Sequence, residues 1–326
     1  ALGACSGDDG TAEESGPSFC TSPTEVDHTH AEAAYAHWKE TLLISEGAGG
    51  HLRVRRPNSA GAVVDSTVSE GIAYGMLLAV YMDDQETFDE LWKYSQLHVD
   101  DSGLMIWYIG PDGEPLGEGP ATDSDEDIAF ALVMAAERWG GRGSLDESYE
   151  EAAKRQINLV MEHEIEPVTY IVRPGRWGGS DVTNISYFAP AFYRTFATVT
   201  GDDRWYKVID TAYEILEASL NEEQGNADNG LVPAWCDGYG NPTSQSSGHP
   251  IHFQFDSCRT PFRIGQDWCW HGEPRAKDYL AKITSFYEEV GLENIIDGYD
   301  LDGTPRPEFS VDGSRAAAFV GPAGVG

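Results

Sequence analysis

Basic residues are scarce in this chain of 326 residues: 21 Lys and Arg stand against 55 Asp and Glu, a formal charge of −34. Such an excess repels phosphate backbones and anionic lipid surfaces, which argues against nucleic acid and anionic membranes as partners. A run of apolar residues long enough to cross a bilayer is also lacking, so no transmembrane helix is expected. Cysteine is sparse, and no spacing among the five resembles a zinc site. Alternation of polar and apolar residues, the mark of strands, is confined to short loops. Apolar material is ample: 40% hydrophobic and 11% aromatic residues suffice for a packed core.

At the start, Leu2-Gly3-Ala4-Cys5 resembles the lipobox that ends a bacterial lipoprotein signal peptide, with Cys5 the residue that would carry a lipid anchor. The polar, acid- and glycine-rich SGDDGTAEESGPS that follows cannot bury enough surface to fold. Residues 1–30 therefore read as an export remnant and flexible tether, and residues 31–326 as one folded domain of an exported, secreted or surface-anchored protein. The odd cysteine suits either a lipidated Cys5 or a free buried thiol, with a Cys5–Cys20 disulfide as the alternative. Cys258 and Cys269 lie too far apart along a helix to bond each other.

From Ala31 the sequence carries helical periodicity in successive segments at 31–44, 69–83, 86–98, 121–139, 147–163, 186–200, 203–220, 259–270 and 274–290. No seam of Pro, Ser or charge divides them, so the expectation is a single all-α domain. Periodicity leaves open a long bundle, a solenoid or a closed toroid of helical hairpins, although no fixed-period repeat favours the solenoid. The 121–139 helix is the best marked. Ser124 is expected to cap it, with Asp125, Glu126 and Asp127 in the first turn where the helix dipole favours acids. Ile128, Ala131, Leu132, Ala135 and Trp139 form its buried face. Asp123, outside that expected first turn, has no structural duty. Glu70 and Asp256 also stand at helix starts, so a toroid would bring all three acids to one end.

The stretch 121–139 is similar to the signature of family 8 glycoside hydrolases, with Ser124 in place of the usual Ala or Gly. The resemblance extends in order through TVSEGIAYGM at 67–76, GLMIW at 103–107, NISYFAPAFYR at 184–194, GLVPAW at 230–235 and FDSCRTPFRI at 255–264. It implies an (α/α)6 barrel and inverting endo-hydrolysis of β-1,4-linked polysaccharide, cellulose or mixed-linkage β-glucan before xylan or chitosan. Carried over by position, it implies Glu70 as general acid, Asp256 as general base and Asp123 as the carboxylate gripping the sugar at the cleavage point. Asp123 would keep Glu70 protonated, since a second adjacent charge is costly. A capping box between Thr67 and Glu70 is the rival reading of Glu70.

The same resemblance places Arg259 beside the base, keeping Asp256 ionised, and Tyr187 against the sugar or the attacking water. Trp107 and Trp177 are candidates for stacking on pyranose rings, while Trp92, Trp139, Trp205 and Trp270 read as structural. Cys258 reads as a small core residue. No metal or other cofactor is needed; Asp297 to Gly303 lacks the order of a calcium loop and is expected to be a solvated turn. A catalytically silent carbohydrate-binding protein is the competing class, against which the presence of all three acids speaks. Six hairpins need twelve helices and nine or ten are placed before Gly326, so the chain is expected to continue or to borrow surface from another copy.

Overall fold

The computed structural model describes residues 19–21, 26–57, 62–246, 249–310 and 315–324. Cys5 and the segment after it lie outside these residues. Among the described residues there are ten helices: α1 (His28–Leu42), α2 (Ser69–Tyr81), α3 (Gln85–Leu97), α4 (Thr122–Trp139), α5 (Tyr149–His163), α6 (Pro190–Thr200), α7 (Arg204–Ala218), α8 (Thr260–His271), α9 (Pro274–Val290) and the short α10 (Ala317–Ala323). Two small antiparallel ribbons pair β1 (Leu43–Ile44) with β2 (Arg53–Val54), and β3 (Thr67–Val68) with β4 (Tyr108–Ile109). Each segment read as helical contains a helix. The first starts earlier than expected, because the Asp27 side chain accepts the Thr29 amide at 3.0 Å and caps it there. The segment 186–200 is split. A 3-10 turn at Ile185–Tyr187 precedes α6, which restarts at Pro190, where a proline is tolerated as the first helical residue.

Neighbouring helices pair as α2 with α3, α4 with α5, α6 with α7 and α8 with α9. Alternate helices also pack: α2 on α4, α4 on α6, α6 on α8 and α8 on α10. The even-numbered helices are thus an inner row, with α3, α5, α7 and α9 as their outer partners. Since each hairpin reverses the chain, the inner helices share one direction and present their N-termini at one end. Of the three architectures left open by the sequence, this is the toroid of hairpins.

Helix α4, the second of that row, is buried continuously from Thr122 to Leu132. Its two faces serve two cores. Ile128, Ala131, Leu132 and Ala135 pack with α2, α3 and α5, while Ala129 and Phe130 join the core of α6 to α9, where Phe130 stacks on Phe192 at 3.9 Å. Ser124 does not cap the helix: α4 begins two residues earlier, and the Ser124 hydroxyl lies 2.5 Å from that of Ser69 on α2. Close approach between α2 and α3 needs Gly75, where an added Cβ would meet Leu91 Cδ1 at 2.8 Å.

The alternative Cys5–Cys20 pairing is overturned, since Cys20 is bonded to Cys269 on α8, 249 residues away. Phe19 is held with it: its amide donates to the Cys269 carbonyl at 3.1 Å and its ring packs on Trp268. It also lies over Gly272, whose left-handed φ of 66° and lack of a side chain leave room for the ring. A tether ending at residue 30 therefore contains a pair that the structure fixes to the body. Cys258 is buried and free, and its thiol donates to the Phe255 carbonyl at 2.9 Å. The Cys20–Cys269 bond closes a long loop and is expected to contribute about 2–4 kcal/mol, so reduction should lower the melting temperature by about 3–6 °C. Calorimetry with and without reductant, beside Cys20→Ser, checks this; no shift would show that the bond leaves stability untouched.

The turn expected to be solvated at 297–303 is only partly so. Asp297 is 1% exposed and accepts the Ala316 amide at 2.8 Å, tying the loop to the approach of α10. Asp300 pairs with Arg306 and with His252.

Candidate active site

Glu70 is the second residue of α2, and the β3–β4 ribbon sets its place. Thr67 pairs with Ile109, and the Ser69 amide donates to the Trp107 carbonyl at 2.9 Å. Arg53, 1% exposed, locks the ribbon by donating to the carbonyls of Glu46, Asp65 and Pro111 and to the Thr67 hydroxyl. Thr67 in turn donates to the Val54 carbonyl, so it makes no capping box with Glu70. Asp123 is the second residue of α4, one turn further in than the sequence suggested. Asp256 precedes the 3-10 turn Ser257–Arg259 that leads into α8. The three acids arrive at one end of the inner row.

Arg259 joins them. Its Nη1 lies 2.6 Å from Glu70 Oε1 and 3.6 Å from Asp123 Oδ2, and its Nη2 lies 3.5 Å from Asp256 Oδ1. The guanidinium also packs over the Tyr187 ring at 5.2 Å and donates from Nε to Ser186 Oγ at 3.3 Å. Its short partner is thus Glu70, not the expected Asp256. Arg263, one helical turn along α8, is buried and pairs both terminal guanidinium nitrogens with Asp127 at 2.8 and 3.0 Å. Asp127, expected as a first-turn acid, is therefore half of a buried ion pair clamping α8 to α4.

Burial pushes the Asp123 carboxyl up to about 7; Arg259 opposes this and the charge of Glu70 adds to it. Burial, more than the neighbouring acid, supplies the upward pressure on Asp123. Behind it, burial drives the carboxyls of Asp125, Glu126 and Glu164 well above the ordinary range. The ordinary value for Asp is 3.8, so between there and about 7 folded Asp123 keeps a proton that the unfolded chain has released. Its contribution to stability is complete below about pH 4 and is lost as pH rises through about 7. Melts of Asp123→Asn across this window should therefore fall less steeply with pH than those of the wild type. Identical slopes would contradict the assignment.

Trp107 and Trp177 are partly open, 40% and 49% exposed. Trp107 stacks on Tyr108 at 4.9 Å and Trp177 on Trp235 at 5.8 Å, so each offers a supported aromatic face. Trp92 and Trp205 are buried, Trp139 packs into the first core, and Trp270 stacks on Phe130 and Phe192. Tyr187 is 9% exposed and its ring meets Trp235 edge-on.

The sequence reading missed three residues that touch the acids. The Tyr74 hydroxyl donates to Glu70 at 3.2 Å, Trp235 Nε1 to Asp256 Oδ2 at 3.0 Å, and Gln254 Nε2 to the same oxygen at 3.3 Å. Helical i,i+4 spacing from Glu70 was a usable signal for Tyr74. Trp235, 21 residues before its partner, had none. Among the described residues, no group of three or more His, Cys, Asp or Glu is placed to hold a metal ion.

Three carboxylates around one guanidinium, with supported aromatic faces nearby, form a site suited to acid–base work on a neutral, ring-shaped substrate. The chain belongs to glycosyl hydrolases family 8, whose model matches residues 19–326. Enzymes of this family are (α/α)6 barrels, and the inner and outer helices described above are that fold. The chain is 41% identical to Endoglucanase 2 of Ruminiclostridium josui over 89% of its own length and 60% of that protein. It is 39% identical to Endoglucanase A of Acetivibrio thermocellus over 92% of its length and 62% of that protein. It thus spans about three-fifths of these curated relatives. Among solved structures it resembles the apo structure of a β-1,3-1,4-glucanase from Paenibacillus sp. X4, with a TM-score of 0.82 and 30% identity, covering 95% of this chain and 84% of that one.

Proposed function

We propose that this protein hydrolyses β-1,4-glucosidic bonds within cellulose or mixed-linkage β-glucan, with inversion at the anomeric carbon. The observation that carries the reading is the meeting of Glu70, Asp123 and Asp256 at one guanidinium. In this proposal protonated Glu70 gives its proton to the glycosidic oxygen, while ionised Asp256 takes a proton from the water that attacks from the opposite face. Asp123 holds a sugar hydroxyl at the cleavage point. The Arg259–Glu70 contact is one that substrate must displace, after which Arg259 faces Asp123 and Asp256. Trp107 and Trp177 carry sugar rings on either side. The endoglucanase names of the relatives favour glucan.

Export forms part of the proposal. The Cys20–Cys269 bond supports it, because disulfides persist in oxidising compartments. A lipid on Cys5 is its finer form, detected as fatty-acid labelling that Cys5→Ser abolishes. The activity is tested by reducing-sugar release from carboxymethylcellulose, mixed-linkage β-glucan, xylan and chitosan in parallel. Release from the first two is expected; release from xylan or chitosan alone would overturn the substrate assignment, and none from any would favour a pure binding role.

A further inference from the structure

The carboxylate of Asp256 is held asymmetrically. Oδ2 accepts two neutral N–H donors, Trp235 Nε1 at 3.0 Å and Gln254 Nε2 at 3.3 Å, whereas Oδ1 has only the longer 3.5 Å contact with Arg259 Nη2. With two N–H donors directed at it, Oδ2 has its lone pairs committed, whereas Oδ1, with one long contact, keeps a lone pair open to take a proton. The indole itself is fixed. Its backbone amide donates to the Pro250 carbonyl at 2.8 Å and its carbonyl accepts from the Thr243 amide at 3.0 Å. Trp177 covers one face of its ring and Tyr187 meets its edge. At 7% exposure it is too buried to carry a sugar, whereas Trp177 above it is open.

We infer that Trp235 is a positioning residue for Asp256: its donated hydrogen bond occupies Oδ2 and leaves Oδ1 as the oxygen that takes the proton from the attacking water. The inference rests on the hydrolytic reading given above. In the step, one water O–H bond breaks, its proton goes to Oδ1, and the water oxygen bonds to the anomeric carbon. The glycosidic C–O bond breaks, and the leaving oxygen takes the proton of Glu70. Because the same indole supports Trp177, the ring that seats a sugar and the base that activates water share one rigid stack. A sugar bound on Trp177 is thereby registered against Oδ1.

The test is a comparison of kcat and KM on mixed-linkage β-glucan for the wild type, Trp235→Phe, Gln254→Leu and Trp177→Ala. Trp235→Phe keeps an aromatic ring beneath Trp177 but removes the donor. Its kcat is expected to fall about 10- to 100-fold, the usual range for losing a hydrogen bond to a charged group, with KM within about threefold of wild type. Trp177→Ala should do the reverse, raising KM with a smaller change in kcat. A rise in KM with unchanged kcat in Trp235→Phe would make the residue a mere support for the platform and overturn the inference. Where melting shows that Trp235→Phe does not fold, Gln254→Leu decides: it removes the other donor to Oδ2, and a wild-type kcat there also overturns it. A wild-type protein that cleaves no glucan removes the underlying reading and this inference with it. An active wild type beside an equally active Trp235→Phe removes this inference alone.

Discussion

Glu70→Gln and Asp256→Asn are each expected to lower kcat on β-glucan by about 10²–10⁴-fold, the contribution usual for a general acid or base. Both replacements keep the shape of the side chain and remove the ability to exchange a proton in the working range. Glutamine at 70 can still accept from Arg259 and Tyr74, which contact Glu70 Oε1 at 2.6 and 3.2 Å, so the local structure should persist. Asparagine at 256 keeps an oxygen for Trp235 or Gln254 but cannot take up the proton of water. Folding, followed by melting, and oligosaccharide binding, followed by calorimetry, should stay close to wild type. Near-normal turnover in either variant would remove that residue from its role.

Arg263→Met is expected to cause the largest loss of stability among single changes near the site. Both members of the Arg263–Asp127 pair are almost fully inaccessible, at 1% and 3% side-chain exposure, so the variant strands a carboxylate in the core. Removing one partner of such a pair costs about 3–5 kcal/mol, a large part of the roughly 5–15 kcal/mol that holds a domain together. The melting temperature should drop by about 5–8 °C. Arg263 also donates to the Asp123 carbonyl at 3.4 Å, so the variant is expected to loosen the register of α8 against α4 and reduce activity. The double variant Arg263→Met with Asp127→Leu should recover much of the stability, since no charge is then left unpaired. A double variant as unstable as the single one would mean that the damage is a packing loss around Phe192, over which the guanidinium lies at 5.4 Å.

What the sequence disclosed is what local periodicity and local motifs encode. The apolar face Ile128, Ala131, Leu132 and Ala135 could be read off 121–139, and it packs as expected into the core of α2, α3 and α5. The placing of Glu70, Asp123 and Asp256 at helix starts was likewise legible, and inner helices running in one direction turn that shared position into a shared site. Contacts across the ring were not legible. Arg259 reaches back 189 residues to Glu70, and Arg263 reaches 136 residues to Asp127. No spacing rule links such pairs, so Asp127 looked like a first-turn acid and Arg259 like a partner of its near neighbour Asp256. The Cys20–Cys269 bond escaped for the same reason, since a separation of 249 residues says nothing about proximity.

The most direct measurement is proton NMR of the first products released from a β-linked glucan oligosaccharide, recorded before the anomers equilibrate. Attack by water opposite the leaving group, with Glu70 as acid and Asp256 as base, yields the α-anomer first. The β-anomer appearing first would mean a covalent intermediate and two inversions, and would contradict the roles given to these two carboxylates.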